Sequence, residues 1–299
     1  MSTIMKRQKF LFVINPIAGG LDKSSYIHNL DKIFSKKQKD FNVLETRGKG
    51  DDEQRIDEAI QIYQPDVVVA VGGDGTCNLV ASVIHDRDLL FGIVPLGSAN
   101  GLATELDIEN DVVEATDLLF SGSEKNVDAI LINEKHICLH LSDIGLNAKV
   151  VKRFEENKVR GMFGYFRQFV REIRNAQPKK FGFEIDGNYF EKSALMVVIA
   201  NASKYGTGAI VNPEGQLDDG LFEICIVKPF PFYAFFAITF HLFKGTLRTS
   251  GYVDIISTKH IIIHNLPQEV LQIDGEIHDY PNKVEAKIIK HAFKFIAPC

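Results

Sequence analysis

The stretch from Val67 to Asn78 constrains the fold of this chain more than any other part of the sequence. It reads VVVAVGGDGTCN, a run of valine and alanine that ends in three glycines around one aspartate. A run of this kind is typical of a strand that is buried on both faces. The apolar residues from Leu79 to Ile84 then recur at helical spacing. We therefore predict a central strand, a glycine turn and a helix in succession.

A turn of this composition favours phosphate chemistry. Glycines let backbone N–H groups approach a phosphate without an intervening Cβ, and a helix start adds further N–H groups. Asp74 lies in the middle of the turn, however, and a carboxylate repels phosphate. The conflict disappears if a divalent cation lies between them, or if Asp74 accepts a proton from an attacking hydroxyl. Both explanations predict phosphoryl transfer, and the alternative is a plain tight turn.

The first half of the chain alternates strand and helix patterns. We expect strands at 9–14, 41–46, 67–72 and 91–94, and helices around 26–34, 53–63, 79–85 and 112–120. This order predicts a parallel sheet with helices on both faces and with ligands at the carboxyl ends of the strands. Glycine-bearing turns fall at three of those ends, at 15–20, 72–76 and 97–101, and we expect them to converge.

After about Asp128 the pattern changes to short apolar runs separated by turn residues. We expect strands at 129–132, 136–142, 181–185, 194–200, 221–227, 252–257, 260–264, 270–273 and 284–289. Such runs predict an antiparallel β domain, a sandwich or partial barrel, with helical interruptions at 150–174 and 232–247. The expected domains are therefore 1–128 and 129–289.

Length and composition exclude several classes of protein. The chain has 299 residues, 45% hydrophobic and 24% charged, which suits a soluble protein of about two domains. Its four cysteines are far apart, which argues against zinc and disulfide frameworks and predicts a cytoplasmic protein. The apolar stretch 229–243 is shorter than the roughly 20 residues that span a bilayer. We expect no transmembrane segment, and we expect this stretch to form a buried core helix. The alternative is an exposed wall that faces lipid.

The charge is distributed unevenly. The net charge of −5 combines −8 up to Asp128 with +3 from Ala129 onward. The segment 152–180 holds nine Lys and Arg against three acids, with Phe163, Phe166 and Phe169 at helical spacing. A basic amphipathic segment suits an anionic membrane surface. The alternative is a helix that packs its aromatic residues on the second domain.

Asp274-Gly275-Glu276 is a second candidate for chemistry. Two acids flank a glycine after an apolar strand, and their mutual repulsion would raise the pKa of one of them. A carboxylate with a raised pKa is suited to act as a general base. The alternative is a β-turn that begins with aspartate.

Several motifs together resemble one family. GGDGTCNLV, PLGSANGLA and QIDGEI resemble the diacylglycerol kinase catalytic-domain family, which includes soluble bacterial lipid kinases and the sphingosine kinases; NPIAGG, DIGLNAKV and NASKYGTGAIVNPEGQLDDGLFE resemble further motifs of that family, in the expected order. The resemblance implies an N-terminal α/β nucleotide domain, like that of NAD kinases and phosphofructokinases, and a C-terminal β-sandwich that presents a lipid. It implies ATP and Mg²⁺ as cofactors, and a C-terminal tail, about 290–299, that returns to the first domain.

The resemblance also implies site residues. The nucleotide contacts would come from Asn15, Pro16, Gly19, Thr46, Gly72, Gly73, Asp74, Gly75, Thr76, Asn78, Ser98 and Asn100. For Ser98 a helix N-cap is the alternative. A magnesium site would use Asp219 with the carbonyls of Gln216 and Leu221, and oxygen-only ligation suits Mg²⁺. The alternative there is a hairpin turn without metal.

The same resemblance implies the catalytic roles. Glu276 would accept the proton of the substrate hydroxyl and Asp274 would assist, with Asp74 as the rival base, as usually described for sphingosine kinases. Two positions depart from the family pattern, because Leu79 and Gly101 stand where the family often has Glu and Asp. Their loss would alter metal handling.

These observations predict an ATP-dependent kinase of a lipid hydroxyl, with diacylglycerol or a sphingoid base as substrate. One alternative is an NAD kinase-like enzyme of a soluble nucleotide, and another is a non-catalytic nucleotide- or lipid-binding regulator. The expected partner is a lipid substrate at a membrane surface, visited transiently from the cytoplasm. No nucleic acid partner is expected, and a homodimer is left open.

Overall fold

The computed structural model describes residues 7–17, 23–97, 99–146, 171, 173, 176–201, 215–278 and 280–299. The chain separates into two compact units, one of Met1–Val127 with His291–Cys299 and the other of Asp128–Lys290. The first unit is therefore discontinuous in sequence, because it includes the C-terminal residues.

The first unit is an α/β domain. Its elements are β1 (Lys9–Ile14), α1 (Lys23–Lys37), β2 (Asp40–Glu45), α2 (Asp52–Tyr63), β3 (Val67–Gly72), α3 (Asp74–Ile84), β4 (Leu90–Pro95), α4 (Gly101–Glu105) and α5 (Val112–Ser121). The strand order is β2-β1-β3-β4, and every one of these neighbouring pairs is parallel. The end of β16 (Lys283–Ala297) lies beside β4, where Lys294 and Phe295 pair in parallel with Leu90 and Phe91.

Burial explains why the first unit folds in this way. Every residue of β3 is buried, as expected for a strand that is covered on both faces. On one side of the sheet, Phe34 of α1 packs with Phe10, Phe12, Phe41 and Phe120, with ring centroids 4.9–5.6 Å apart. The apolar face of α1 therefore closes this part of the core.

The second unit is built from antiparallel strands in two sheets. Its elements are β5 (Ser123–Ile132), β6 (His136–Cys138), β7 (Leu141–Gly145), β8 (Lys179–Ile185), β9 (Asn188–Ala194), β10 (Met196–Ala200), β11 (Phe222–Val227), α6 (Ala234–Lys244), a 3₁₀ helix (Leu247–Ser250), β12 (Val253–Thr258), β13 (His260–His264), β14 (Leu271–Ile273), β15 (Glu276–Ile277) and β16. One sheet of this unit has the order β16-β13-β8-β9, with β5 beside β16 and β6 beside β5. The other has the order β12-β11-β10-β7-β14-β15.

The core of the second unit lies between its two sheets. Phe181, Phe183 and Ile263 come from one sheet and Ile199 and Ile224 from the other, and all five are fully buried. A separate apolar cluster, which includes Ile238 of α6, covers the outer face of the six-stranded sheet. The expected fold class, a parallel α/β domain with an antiparallel β-sandwich, is confirmed.

Two expected strands are wrong in extent, and each has a physical reason. The run 136–142 is divided into β6 and β7, because the N–H groups of Leu139 and His140 bind the Asp274 carboxylate instead of a neighbouring strand. The run 194–200 is divided between β9 and β10 at Leu195, because the two strands belong to different sheets.

Further differences concern helices. Helix α3 begins at Asp74 rather than at Leu79, so the glycine turn is continuous with the first helical turn. The short helix α4 was not expected. The expected helix at 150–174 lies almost wholly outside the described residues. Of the helices that are described, none has both the length and the apolarity needed to cross a bilayer.

Candidate active site

The carboxyl ends of the parallel strands bring the predicted turns of the first unit together. Asn15 donates its N–H to the carbonyl of Val71 (3.0 Å), and Leu96 donates to Gly72 (2.8 Å). On the other side of β1, Thr46 donates its N–H to Ile14 (2.9 Å). The turns that follow β1, β2, β3 and β4 therefore meet along one edge of the sheet, where ligands bind in folds of this class.

The second and third turns touch backbone to backbone. A Cβ on Gly97 would lie 2.5 Å from the Cα of Gly73 and 2.7 Å from the amide oxygen of Asn100. A Cβ on Gly72 would overlap the side chain of Thr76. Glycine is thus required at 72 and 97 by packing within the turns, whether or not a phosphate binds there.

Helix α3 starts directly in the glycine turn. The carbonyl of Gly73 accepts the N–H groups of Thr76 (2.9 Å) and Cys77 (3.1 Å). The N–H groups of Asp74 and Gly75 precede these two at the helix start and make no hydrogen bond within the described residues. The first N–H groups of a helix carry partial positive charge, so the arrangement can bind an anion.

The carboxylate of Asp74 already has a role inside the protein. Its Oδ2 accepts the N–H of Gly101 (3.0 Å) and its Oδ1 accepts the N–H of Leu102 (3.1 Å). These are the first two N–H groups of α4, which lack partners within that helix. Asp74 therefore joins the start of α3 to the start of α4, and this explains a carboxylate in the turn without reference to phosphate.

Asn100 determines the shape of the third turn. It adopts the left-handed conformation (φ 49°), which asparagine tolerates better than most residues. Its amide oxygen accepts the N–H of Gly97 (2.7 Å), and its amide nitrogen donates to the carbonyl of Gly97 (3.0 Å) and to Asn110 (2.8 Å). Ser98 lies outside the described residues.

The other nucleotide candidates are distributed around this edge. Asn15 accepts the N–H of Ile17 on its side-chain oxygen (3.1 Å), across Pro16. Asn78 has a buried amide oxygen that has no partner within the described part of the chain. An unpaired buried acceptor of this kind can receive a ligand donor. Gly19 lies outside the described residues.

Asp52 holds the turn that follows Thr46. Its carboxylate accepts the N–H groups of Arg47 (2.9 Å) and Gly48 (2.8 Å) and pairs with Arg55 (2.8 Å). Burial raises the pKa of Asp52, but these hydrogen bonds outweigh burial and bring the pKa below its ordinary value. Sequence reasoning missed this residue, because an aspartate at the start of a helix is unremarkable.

In the second unit, Asp274 and Gly275 form the two-residue turn between β14 and β15. Both have positive φ (45° and 93°), as a type I′ hairpin turn requires. The Asp274 carboxylate accepts the N–H groups of Leu139 (2.7 Å), His140 (3.0 Å) and Leu141 (3.0 Å). It thus fixes the segment between β6 and β7. A plain β-turn, which was the alternative considered for this motif, would not need these contacts.

Burial dominates the electrostatics around Asp274. It raises the pKa of this carboxyl group, against the opposing effect of the three N–H groups. Burial, and then the neighbouring Asp274 carboxylate, also raise the pKa of the Cys138 thiol. Glu276 begins β15 opposite Ile273 and is exposed to solvent. Of the two acids in the motif, Glu276 is therefore the one that is open to a substrate.

Two buried polar side chains beside Asp274 were not predicted. The Nε2 atom of His140 and the Oδ1 atom of Asn201 are buried without partners in the described residues. Asn201 uses its amide nitrogen to bind the carbonyls of Asp128 (2.8 Å) and Leu139 (2.9 Å). The sequence offers no signal for either residue, because both lie among alternating strand residues.

The candidate magnesium ligands lie in a turn. Asp219 is exposed, and its Oδ1 accepts the N–H of Leu221 (2.8 Å). Gly220 donates its N–H to the buried Asp128 (2.6 Å). Gln216, Asp219 and Leu221 thus occupy one turn, with one carboxylate and main-chain carbonyls as donors. Within the described ranges, no group of three His, Cys, Asp or Glu side chains is arranged to hold a metal.

Comparison with known proteins agrees with this architecture. Residues 9–132 match the model of the diacylglycerol kinase catalytic domain, and residues 142–294 match the YegS C-terminal NAD kinase beta sandwich-like domain. A diacylglycerol kinase of Staphylococcus aureus (strain bovine RF122 / ET3-1) is 25% identical over 291 residues, which are 95% of this chain and 90% of that protein. A crystal structure of a diacylglycerol kinase from Bacillus anthracis str. Sterne has a TM-score of 0.73 at 20% identity, covering 98% and 97% of the two chains, and shows the fold alone.

A second kind of relative is matched over part of its length. The protein of Klebsiella pneumoniae (strain 342) named "Probable lipid kinase YegS-like" is 29% identical over 191 residues, which are 62% of this chain and 64% of that protein. The match thus spans less than two thirds of that relative.

The chain has a parallel α/β domain with glycine turns at its carboxyl edge, and an antiparallel β-sandwich follows it in sequence. This combination defines a class of two-domain kinase folds. With both of its domains matched in the expected order, the chain belongs to the diacylglycerol kinase catalytic domain family.

Proposed function

We propose that this protein is an ATP-dependent lipid kinase that transfers the γ-phosphoryl group to a hydroxyl of a lipid, such as diacylglycerol or a sphingoid base. The observation that carries the proposal is the start of α3, which presents N–H groups at the carboxyl edge of the sheet. This start lies within the region that matches the diacylglycerol kinase catalytic domain. The names of the relatives support the choice of a lipid as acceptor.

The first unit would hold the nucleotide. The N–H groups of Asp74 and Gly75 suit phosphate oxygens, because they lie at a helix N-terminus. The buried oxygen of Asn78 suits a hydroxyl or amino group of the nucleotide. When bound, ATP supplies the phosphoryl group to be transferred, and Mg²⁺ neutralises its developing charge.

The donor chemistry of the Asp219 turn fits Mg²⁺. A carboxylate with main-chain carbonyls is an all-oxygen set, and Mg²⁺ is bound in proteins through one or two carboxylates with several waters. Asp219 would contribute the oxygen that does not accept from Leu221. Gln216 and Leu221 would contribute their carbonyls.

Glu276 is the residue we assign to proton transfer. Both carboxylate oxygens of Asp74 and both of Asp274 already accept backbone N–H groups, so they are less available to a substrate hydroxyl. Glu276 is exposed, so a substrate hydroxyl can reach its carboxylate. Asp274 positions it by fixing the turn that carries it. The hydroxyl oxygen bonds to phosphorus as its proton moves to Glu276, and ADP leaves.

One experiment tests the assignment. The purified protein is incubated with γ-labelled ATP and Mg²⁺ in separate reactions with diacylglycerol, sphingosine and NAD, and labelled products are identified by mass. Label in a lipid supports the proposal. Label in NAD alone indicates the soluble-nucleotide alternative. Nucleotide or lipid binding without any labelled product indicates a regulator and contradicts the proposal.

A further inference from the structure

The outward face of α6 is apolar. Tyr233, Ala237, Phe240 and Lys244 are spaced by four, three and four residues, which places them on one side of the helix. All four are exposed, with Tyr233 at 75% and Phe240 at 62% of full accessibility. A helix on a protein surface ordinarily carries polar residues on this side. We call these four residues the outer stripe.

The opposite face of α6 supplies the packing of the helix. Ala234 and Phe235 are buried, and Ile238 packs against the apolar cluster on the outer face of the six-stranded sheet. The stretch 229–243 was expected to form a buried core helix, with an exposed wall as the alternative, and the first expectation is wrong for Tyr233, Ala237 and Phe240, which are exposed. Because the helix is held by its inner face, the outer stripe is not needed to attach it.

The chain segment that carries the outer stripe has cations and no acids. From Lys228 to Tyr252 the chain has no aspartate or glutamate. Lys244 lies over the ring of Phe240, with its Nζ 5.6 Å from the ring centroid, and Arg248 is exposed on the following 3₁₀ helix. Lys228 is instead paired with Asp254 (2.9 Å). The positive charge thus adjoins the C-terminal end of the stripe.

The apolar surface continues beyond the start of the helix. Phe232 is exposed at 43% and borders a cavity of about 170 Å³, which is also lined by Leu195 and Pro229. Aromatic side chains with cations beside them are typical of segments that lie in the interface of an anionic bilayer.

We propose that the outer stripe docks the protein on an anionic lipid bilayer, with Tyr233 and Phe240 inserted at the headgroup level and Lys244 and Arg248 beside the anionic headgroups. The inference extends the proposed function, since an enzyme that acts on a lipid must reach a bilayer. It names a surface that is separate from the residues assigned to chemistry. The lack of acidic residues from Lys228 to Tyr252, with Lys244 and Arg248 at the end of the stripe, favours an anionic surface over a neutral one.

Because the chain contains no tryptophan, a single introduced tryptophan reports on its own position. Phe240→Trp is mixed with vesicles of equal parts phosphatidylcholine and phosphatidylglycerol, without diacylglycerol or ATP. We expect a blue-shifted emission that brominated lipids quench. Ile62→Trp, at an exposed apolar residue on α2 (86% accessible), is the matched control, and its emission should stay unchanged.

A second experiment measures binding by vesicle co-sedimentation. We expect Tyr233→Ser with Phe240→Ser to lower the partition coefficient at least about tenfold, because two aromatic rings no longer leave water. Lys244→Gln should weaken binding only at low salt, since the Debye length falls from about 10 Å at 0.1 M to about 3 Å at 1 M. Ile62→Ser should bind like the unmodified protein.

Three results would overturn the inference. The first is equal vesicle binding by the double variant and the unmodified protein, and the second is equal binding to neutral and anionic vesicles. The third is a dimer, seen by sedimentation velocity, that dissociates on Phe240→Ser, because the stripe would then bind a second copy. A kinase assay on dispersed short-chain diacylglycerol tests the proposed function separately, since it needs no vesicle.

Discussion

Asp274 lends itself to a quantitative test, because its carboxylate makes contacts that another Asp-Gly turn of the same unit lacks. We predict that Asp274→Ala lowers the free energy of unfolding by several kcal/mol. The change removes the acceptor of three N–H groups, those of Leu139, His140 and Leu141. Those groups lie on a buried segment, where unpaired donors are costly.

The turn between β8 and β9 provides the matched control. Asp186 and Gly187 have φ values of 50° and 75°, close to the 45° and 93° of Asp274 and Gly275. Asp186 is exposed, and its carboxylate makes no hydrogen bond within the described residues. Asp186→Ala therefore carries the same cost of placing alanine in the left-handed region, about 1 kcal/mol. The difference between the two variants isolates the carboxylate contacts.

The expected size of that difference follows from the three donors. At about 1 kcal/mol net for each hydrogen bond, Asp274→Ala should lose roughly 3 kcal/mol more than Asp186→Ala. Against a typical stability of about 5–15 kcal/mol, a loss of that size is readily measured. Asp274→Asn should fall between the two, because asparagine tolerates the backbone conformation but presents an amide N–H₂ to backbone donors.

Urea unfolding followed by far-ultraviolet circular dichroism gives the free energies, and unchanged m-values would show that the unfolded states are comparable. Equal losses for Asp274→Ala and Asp186→Ala would refute the reasoning, since the carboxylate contacts would then contribute nothing. A large loss at Asp274 also means that activity data on its variants must be read beside their stability.

Three further predictions concern carboxylates. Asp74→Asn should lower kcat by about 10², because losing one of its two N–H contacts displaces the helix start that would hold the phosphates, and it should reduce stability by about 1–2 kcal/mol; near-normal turnover in a kinase assay would contradict this. Glu276→Gln should lower kcat by about 10² at unchanged nucleotide affinity, whereas lost affinity with normal kcat would place Glu276 in the binding site. Hydrogen bonds from Lys287 and His260 lower the pKa of Glu285 from 4.5 to about 2, so its stabilisation is present above pH 4.5 and is lost as the pH falls through 2. Glu285→Gln should therefore reduce the fall in unfolding free energy between pH 4.5 and pH 2, and an unchanged fall would count against that pKa.

The architecture could be predicted from the sequence because its main signals are local. The valine run before Gly72 indicates a strand covered on both faces, and every residue of β3 is buried. The fourth strand and fifth helix begin within a residue or two of the expected positions for the same reason. Periodicity and turn residues are short-range patterns, so they identify elements reliably.

Long-range contacts explain the remaining differences. The break between β6 and β7 depends on Asp274, more than 130 residues away in sequence. The division at Leu195 depends on which sheet receives each strand. The exposed stripe of α6 has the same composition as a core helix, and only the position of the sheet decides which face is covered. No periodicity encodes these partners.

The candidate site shows the same limit at Asp74. In the sequence, Asp74 among glycines has no evident partner, so a cation or a substrate proton was the expected explanation. Its partner is the start of a five-residue helix at Gly101, which leaves no detectable pattern in the sequence. The structure adds the Gly101 and Leu102 N–H groups as partners of that carboxylate. This contact also bears on Gly101, which stands where the family often has Asp. The position binds Asp74 through its main-chain N–H, which any residue except proline supplies, so the absence of an acidic side chain there leaves the link between α3 and α4 intact.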